Sequence, residues 1–246
     1  MEEVNIEILG CGDAFASGGN FNTCFYVHSS DYGFLIDCGA TSLLALKKRG
    51  IRTDDIDLIA ISHFHGDHFG GLPFFLLDAS VQARTKPLTI VSPHGGEQKM
   101  REAISLLYPG SLDILEKFPI QFISYEAKEA IAAGGIRLEA FPVVHSEETL
   151  PHGLRIEFHG KSIGFSGDTS WTEELVNIAK DTDLFICECN FYDLDMKGHL
   201  NYHTIQINRE RLTCKQILLT HMGEEMLKNI DKIDMHYASD GMKLVI

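Results

Sequence analysis

Basic charge is in short supply in this chain: 21 Lys and Arg stand against 35 Asp and Glu in 246 residues, a formal net charge of −14. Such a field repels a polyanion unless basic residues cluster or bound cations offset it, so long nucleic acids are disfavoured as partners. No basic segment followed by an apolar run opens the sequence Met1-Glu2-Glu3-Val4, so no secretory signal is readable and a cytosolic location is expected. Long hydrophobic runs are missing too. The densest, Leu72 to Leu77, contains Pro73 and falls far short of a bilayer span, which argues against any membrane partner. The six cysteines are dispersed, with no Cys-x-x-Cys, and read as reduced structural residues. With no linker, repeat or low-complexity tract, residues 1–246 are expected to form one domain.

What is present is an alternation of short strand-like and helical runs, an α/β pattern. Strands are predicted at 5–9, 23–28, 33–37, 58–62, 88–91, 120–124, 136–144, 153–158, 162–166, 184–188 and 216–220. Helices are predicted at 42–49, 68–83, 96–107, 172–179, 204–211 and 224–230, several opened by Ser, Thr or Asp as N-cap. The Gly10-Cys11-Gly12 turn starts like a dinucleotide fingerprint, but Phe15 breaks the Gly-x-Gly-x-x-Gly spacing and no helix follows, so no nucleotide cofactor is expected there. The loop through Gly18, Gly19 and Asn20 either lines a site or simply turns.

The strongest signal is His63-Phe64-His65-Gly66-Asp67-His68, directly after the strand-like 58–62. Four metal-ligating side chains in six residues are a poor way to build a core. Residues two apart in an extended segment project to one side, so His63 and His65 can grip one cation, and a turn at Gly66 can swing Asp67 and His68 toward a second. Three further candidates each follow a strand: His145 after 138–144, Asp168 in Ser166-Gly167-Asp168-Thr169, and His221 in Leu219-Thr220-His221-Met222. A lone histidine in such a place is usually structural or solvated; with the six-residue motif these complete a set.

The order His-x-His-x-Asp-His, then His, Asp and His, resembles the metallo-β-lactamase superfamily, and within it the ribonuclease Z and small phosphodiesterase branch. Weaker matches at Gly10-Cys11-Gly12, Asn22-Thr23 and Ser239-Asp240-Gly241-Met242 extend the resemblance over nearly the whole chain. It implies a four-layer αββα sandwich with a dinuclear metal site at one edge. By the same resemblance His63, His65 and His145 hold one metal, Asp67, His68 and His221 hold the other, and Asp168 bridges them. Members are often dimers, so a homodimer is expected. Histidine-rich, carboxylate-bridged sites suit Zn²⁺, while Mn²⁺ and Fe²⁺ are compatible with the same ligands.

The expected charge balance has a consequence. Two divalent ions, the carboxylates of Asp67 and Asp168 and a bridging hydroxide leave about +1 for an anionic oxygen, which matches a phosphodiester monoanion. The true β-lactamases of the superfamily characteristically lack the bridging Asp, so Asp168 argues against antibiotic hydrolysis; its lactonases and glyoxalase-type thioesterases share it. A second signal bears on this choice. Glu188 lies 20 residues after Asp168, and His199 a further 11 on. They resemble ribonuclease Z positions at which a Glu orients a His that protonates the leaving oxygen, with Asp67 also expected among the catalytic residues. Their neighbours depart from the family: His-Glu-Ala-Thr reads Cys187-Glu188-Cys189-Asn190, and His-Ser-Thr reads His199-Leu200-Asn201. Transfer-RNA processing members carry a basic arm between the ligands matching His145 and Asp168, but only 22 residues separate these two. The expectation is therefore a compact metal-dependent phosphodiesterase acting on a small or cyclic anionic diester. Its alternatives are a lactone or thioester hydrolase, an armless ribonuclease Z-type endonuclease, and a non-catalytic metal-stabilised binding module.

Overall fold

A computed structural model describes residues 2–246. The strands, in chain order, are β1 (Asn5–Gly10), β2 (Cys24–His28), β3 (Gly33–Ile36), β4 (Leu58–Ala60), β5 (Leu88–Ser92), β6 (Ile120–Ser124), β7 (Ala130–Ala133), β8 (Ile136–Pro142), β9 (His152–Phe158), β10 (Lys161–Phe165), β11 (Leu184–Glu188), β12 (Ile217–Thr220) and β13 (Lys243–Val245). They form two sheets, ordered β13-β1-β2-β3-β4-β5-β6 and β12-β11-β10-β9-β8-β7. The α-helices are α1 (Ser42–Arg49), α2 (Gly66–Phe69), α3 (Leu72–Val81), α4 (Gly96–Leu107), α5 (Glu174–Ala179), α6 (Tyr202–Asn208) and α7 (Glu224–Leu227).

The layering follows from how the central strands read. In β2 to β4 apolar residues are continuous rather than alternating, because both faces are buried. Phe25, Phe34, Ile36, Leu58 and Ala60 turn inward against Leu154, Ile156, Phe158 and Phe165 of the second sheet. Their neighbours Tyr26, Leu35 and Ile59 turn outward beneath α1, α3 and α4. The second sheet repeats the scheme: Leu184 and Ile186 face the inter-sheet core, Phe185 and Cys187 the helices α5, α6 and α7. The result is helix, sheet, sheet, helix. The expected αββα sandwich is present.

Parallel pairing of β3-β4-β5 and of β10-β11-β12 brings the carboxyl ends of these strands to the same edges of the two sheets. Loops leaving such ends are where open α/β sheets place their sites. Here they carry Asp37 after β3, the His63 to His68 segment after β4, Asp168 after β10 and His221 after β12, with Glu188 the last residue of β11. No helix among the described residues is long and apolar enough to cross a membrane. All six cysteines are free, and only Cys214 is not fully buried.

Several elements differ from expectation, each for a local reason. The helix predicted over 68–83 is two helices broken at Gly70-Gly71. The chain there must touch the β3 loop: Gly71 N–H donates to Cys38 O at 2.8 Å, and a Cβ on Gly71 would sit 2.2 Å from Gly39 O. The helix predicted over 172–179 begins only at Glu174, that over 204–211 starts at Tyr202 and closes as a 3₁₀ turn from Arg209, and that over 224–230 stops at Leu227. Side-chain caps are scarcer than the sequence suggests. Thr41 precedes α1, but its hydroxyl accepts from Asn22 N instead of capping. Among the described α-helices only α6 is capped by a side chain, Asn201 accepting from Thr204 N at 2.8 Å. Strands β7 and β13 escaped prediction. Both are short strands at sheet edges whose burial alternates, but their sequences, Ala-Ile-Ala-Ala and Lys-Leu-Val, carry no sustained polar–apolar alternation to mark them.

Candidate metal centre and active site

All nine sequence-predicted site residues converge at this edge. His63 Nε2 and His65 Nδ1 are 3.2 Å apart, and His145 Nε2 is 2.9 Å from the same His65 nitrogen. Three imidazole nitrogens this close have the mutual spacing of ligands around one ion, where tetrahedral Zn–N bonds of about 2.0–2.1 Å put nitrogens about 3.3 Å apart. Asp168 Oδ2 lies 3.9 Å from His63 Nε2 and 3.8 Å from His145 Nε2. A second cluster shares that carboxylate. His68 Nε2 is 3.2 Å from Asp168 Oδ1 and 3.4 Å from Asp67 Oδ2, while His221 Nε2 is 3.1 Å from Asp67 Oδ2 and 3.4 Å from Asp168 Oδ2. These are two four-residue donor sets, one of His63, His65, His145 and Asp168, the other of Asp67, His68, Asp168 and His221.

The donor chemistry fits divalent cations. Two buried polar atoms at the centre of the second set, His68 Nε2 and Asp168 Oδ1, have no hydrogen-bond partner. An orphaned buried acceptor is costly unless something else satisfies it, and a cation does. Burial, reinforced by the neighbouring imidazoles, holds His63 below the ordinary histidine value, and burial likewise lowers His65 and His145 against the pull of Asp168. The first set therefore presents neutral imidazoles with lone pairs to donate. In the second set burial disfavours charge, yet His68 and His221 keep the Asp67 carboxyl well below the usual range, and Asp168 and Asp67 raise His221 to about 9.

Partners behind the candidate ligands set their orientation, an arrangement that metal-ligating histidines require. His145 Nδ1–H donates to Gly198 O at 2.7 Å, leaving Nε2 for the centre. Gly198 has φ +91°, and a Cβ there would fall 2.9 Å from His145 Nδ1, so the close approach needs glycine. His68 Nδ1–H donates to Asp37 Oδ2 at 2.7 Å, and Asp37 in turn accepts from Ser62 N and Ser62 Oγ, both at 2.7 Å. The Asn190 side-chain amide lies 3.1 Å from His221 Nδ1 and donates to the carbonyl of His221. Asp37 and His221 both adopt φ of +57°, a conformation that non-glycine residues hold only under constraint.

Glu188 and His199 form the third group. Glu188 is fully buried and accepts from Thr169 N and Leu200 N, with both oxygens facing His199 Nδ1 at 3.3 and 3.4 Å. Burial pushes Glu188 up against the pull of His199; burial also opposes charge on His199, but Glu188 outweighs it and holds His199 above its ordinary value. The His199 ring centroid lies 4.8 Å from that of His145 and 5.7 Å from that of His221. A cavity of about 490 Å³ opens onto Asp67, Asp168, His199 and His221. Asp13 and Phe15 of the glycine-rich loop line it, so that loop borders the site. His94 and His152 do not line it. His152 instead donates Nδ1–H to Leu150 O and packs on Tyr125. Sequence reasoning missed Asp37, Asn190 and Asp13. The only trace of Asp37 was its place at the end of a predicted strand.

A family model described as "Anti-Pycsar protein Apyc1" matches residues 4–241. Among curated proteins, the anti-Pycsar protein Apyc1 of a Paenibacillus species is 26% identical over 230 residues, covering 91% of each chain. A ribonuclease Z of Agathobacter rectalis is 24% identical over 280 residues, covering 93% of this chain and 90% of that one. Among solved structures, the metallo-β-lactamase-fold protein YhfI of Bacillus subtilis superposes with a TM-score of 0.79 at 19% identity, over the whole of both chains.

Proposed function

We propose, from the premise that the chain belongs to the anti-Pycsar protein Apyc1 family of metallo-β-lactamase-fold hydrolases, that it is a dinuclear phosphodiesterase acting on a small or cyclic phosphodiester. His63, His65 and His145 would hold one divalent ion, Asp67, His68 and His221 the other, with Asp168 shared between them. Zn²⁺ suits this donor set best. Bound there, such ions lower the pKa of water and withdraw charge from a phosphoryl oxygen.

The observation that carries the phosphodiester reading is the Glu188–His199 pair, in which His199 lines the same cavity and Glu188 is buried behind it. Breaking a phosphorus–oxygen bond expels an alkoxide, a poor leaving group unless a proton reaches it. Glu188 engages His199 Nδ1, so Nε2 is the atom left to carry that proton, and the carboxylate raises the basicity of the ring. Deep burial and three donors fix Glu188 and with it the ring. Lactone and thioester hydrolysis have less need of such a group.

The hairpin between His145 and Asp168 supports a small substrate. After a 3₁₀ turn at Glu147–Thr149 the chain forms β9 and β10, joined at His159-Gly160, and no residues remain for an arm that could grip RNA. The net charge of −14 points the same way. The test is metal content by mass spectrometry together with hydrolysis of phosphodiester, lactone and thioester panels by wild type and Asp168→Ala. Near two ions per chain and phosphodiester turnover lost on chelation are expected. Turnover confined to lactones or thioesters would overturn the substrate assignment, and faster cleavage of precursor transfer RNA than of cyclic nucleotides would overturn the small-substrate reading.

A further inference from the structure

The cavity wall beyond His199 carries one feature that the hydrolytic step does not use. Lys197 is the only Lys or Arg lining the cavity. Of the other twelve lysines, 47, 86, 117, 128, 215, 228 and 243 each reach a carboxylate while 48, 99, 161, 180 and 232 do not, so it is the place of Lys197 in the cavity wall that sets it apart. Lys197 makes no such pair among the described residues, although Asp193 and Asp195 sit on its own loop and are exposed like it. Neither of those carboxylates lines the cavity.

Part of the cavity that Lys197 lines is apolar. Phe15, Phe191 and Met196 line the same cavity, and Phe15 is 87% exposed. Phe15 is nevertheless held in place. Asp13 Oδ1 accepts from Phe15 N at 3.1 Å and from Ser17 N at 2.8 Å, which ties the loop into a fixed turn. A cation beside fixed apolar walls is less screened than one on open surface, so an anion seated there gains more.

Lys197 lies two residues before His199, on the wall from which the leaving oxygen would receive its proton. We propose that Lys197 is a specificity-determining residue that reads an anionic group carried on the leaving side of the substrate, so that the preferred diester bears a second negative charge beyond the scissile phosphodiester. This rests on the phosphodiesterase reading above. The metal centre accommodates the first charge, and Lys197 answers the second.

The test compares methyl 3-carboxy-4-nitrophenyl phosphate with its 3-carbamoyl counterpart, which has the same shape and no added charge. The readout is the ratio of kcat/KM for acid over amide in wild type, Lys197→Met and Lys197→Glu; intrinsic reactivity cancels when ratios are compared between variants. An ion pair in a half-open site is worth roughly 1 kcal/mol, so Lys197→Met should lower the ratio about fivefold and Lys197→Glu further. Half-molar salt should compress the wild-type ratio toward that of Lys197→Met. A ratio unchanged within twofold in Lys197→Met, or both substrates falling in parallel, overturns the assignment. Calorimetric binding of 3-carboxyphenylphosphonate against 3-carbamoylphenylphosphonate to the metal-loaded protein reads the same discrimination without turnover. Should wild type hydrolyse neither diester, the phosphodiesterase reading fails while this binding ratio still decides the role of Lys197.

Discussion

Asp37→Asn isolates the support behind one ligand with little change in shape. In the native protein the Asp37 carboxylate has two tasks: Oδ1 accepts from Ser62 N, and Oδ2 accepts from both Ser62 Oγ and His68 Nδ1. An asparagine has one acceptor to share between them. With its oxygen kept on the Ser62 amide, its NH₂ faces His68 Nδ1, and the imidazole must move its proton to Nε2. That is the atom 3.2 Å from Asp168 and 3.4 Å from Asp67, the one needed for the metal. With the amide reversed, the buried Ser62 N–H loses its partner, at about 1–3 kcal/mol of stability.

The first arrangement gives a 10- to 100-fold loss of affinity for one of two metal ions, the range seen when partners behind metal ligands are removed, whereas the second keeps the affinity and shows as lost stability. Competition between the metal-free variant and a chelator of known Zn²⁺ affinity measures it, and circular dichroism with thermal melting reports whether the fold survives. On the proposed ligand set, an ion at His63, His65 and His145 should bind as before, so the titration should separate into two phases. Two ions bound with wild-type affinity by an Asp37→Asn variant that also melts like wild type would refute the account of how His68 is oriented.

His199→Ala should lower turnover of diesters with alkoxide leaving groups by ~10²-fold and affect nitrophenyl esters far less; a loss independent of leaving-group pKa would remove His199 from proton delivery. Burial opposes charge on His221, but Asp168 and Asp67 raise it from 6.5 to about 9, so metal binding must displace a proton. Affinity of the metal-free protein for Zn²⁺ should therefore rise with pH and level off above about 9, whereas the metal-free protein's own stability from this group is full below about 6.5 and lost as pH climbs through 9. Titrations at several pH values check this, and a flat affinity between pH 7 and 9 contradicts it. Gly39→Ala would place a Cβ 2.1 Å from Asp67 O, so overpacking should cost about 1–3 kcal/mol in thermal or denaturant unfolding and weaken metal binding with it; a neutral substitution would show that the α2 segment moves freely.

The contrast between Asp67 and Asp37 shows what the sequence could and could not disclose. Asp67 stands in a six-residue segment so dense in ligands that chemistry explains it better than packing does. Asp37 is as deeply placed and as directly bonded to the site, but it stands alone after a strand, where an aspartate is most often a turn former. Its role arises only when β3 and β4 pair in parallel and bring the two strand ends side by side. The same holds for Asn190, whose partner His221 lies 31 residues away, and for the break at Gly70-Gly71, imposed by the approach of Gly39.

What was legible came from local density or from burial on both faces of a strand, and what was not came from contacts between loops. This division explains the position of the site itself. The central strands, buried on both sides, fix the register of the two sheets, and that register sets which loop ends meet. The ligands then need only occupy the first few residues past each strand end, in conformations the strands do not dictate. Asp37 and His221 bear this out with φ of +57° immediately beyond β3 and β12. His221 is held there by its N–H to Cys11 O at 2.9 Å and by the Asn190 amide on its carbonyl, so residues outside the ligand set maintain the backbone that aims the ligand. Asn190→Ala should accordingly weaken the ion at His221 while leaving the His63 set intact, because it releases the loop without touching a donor atom.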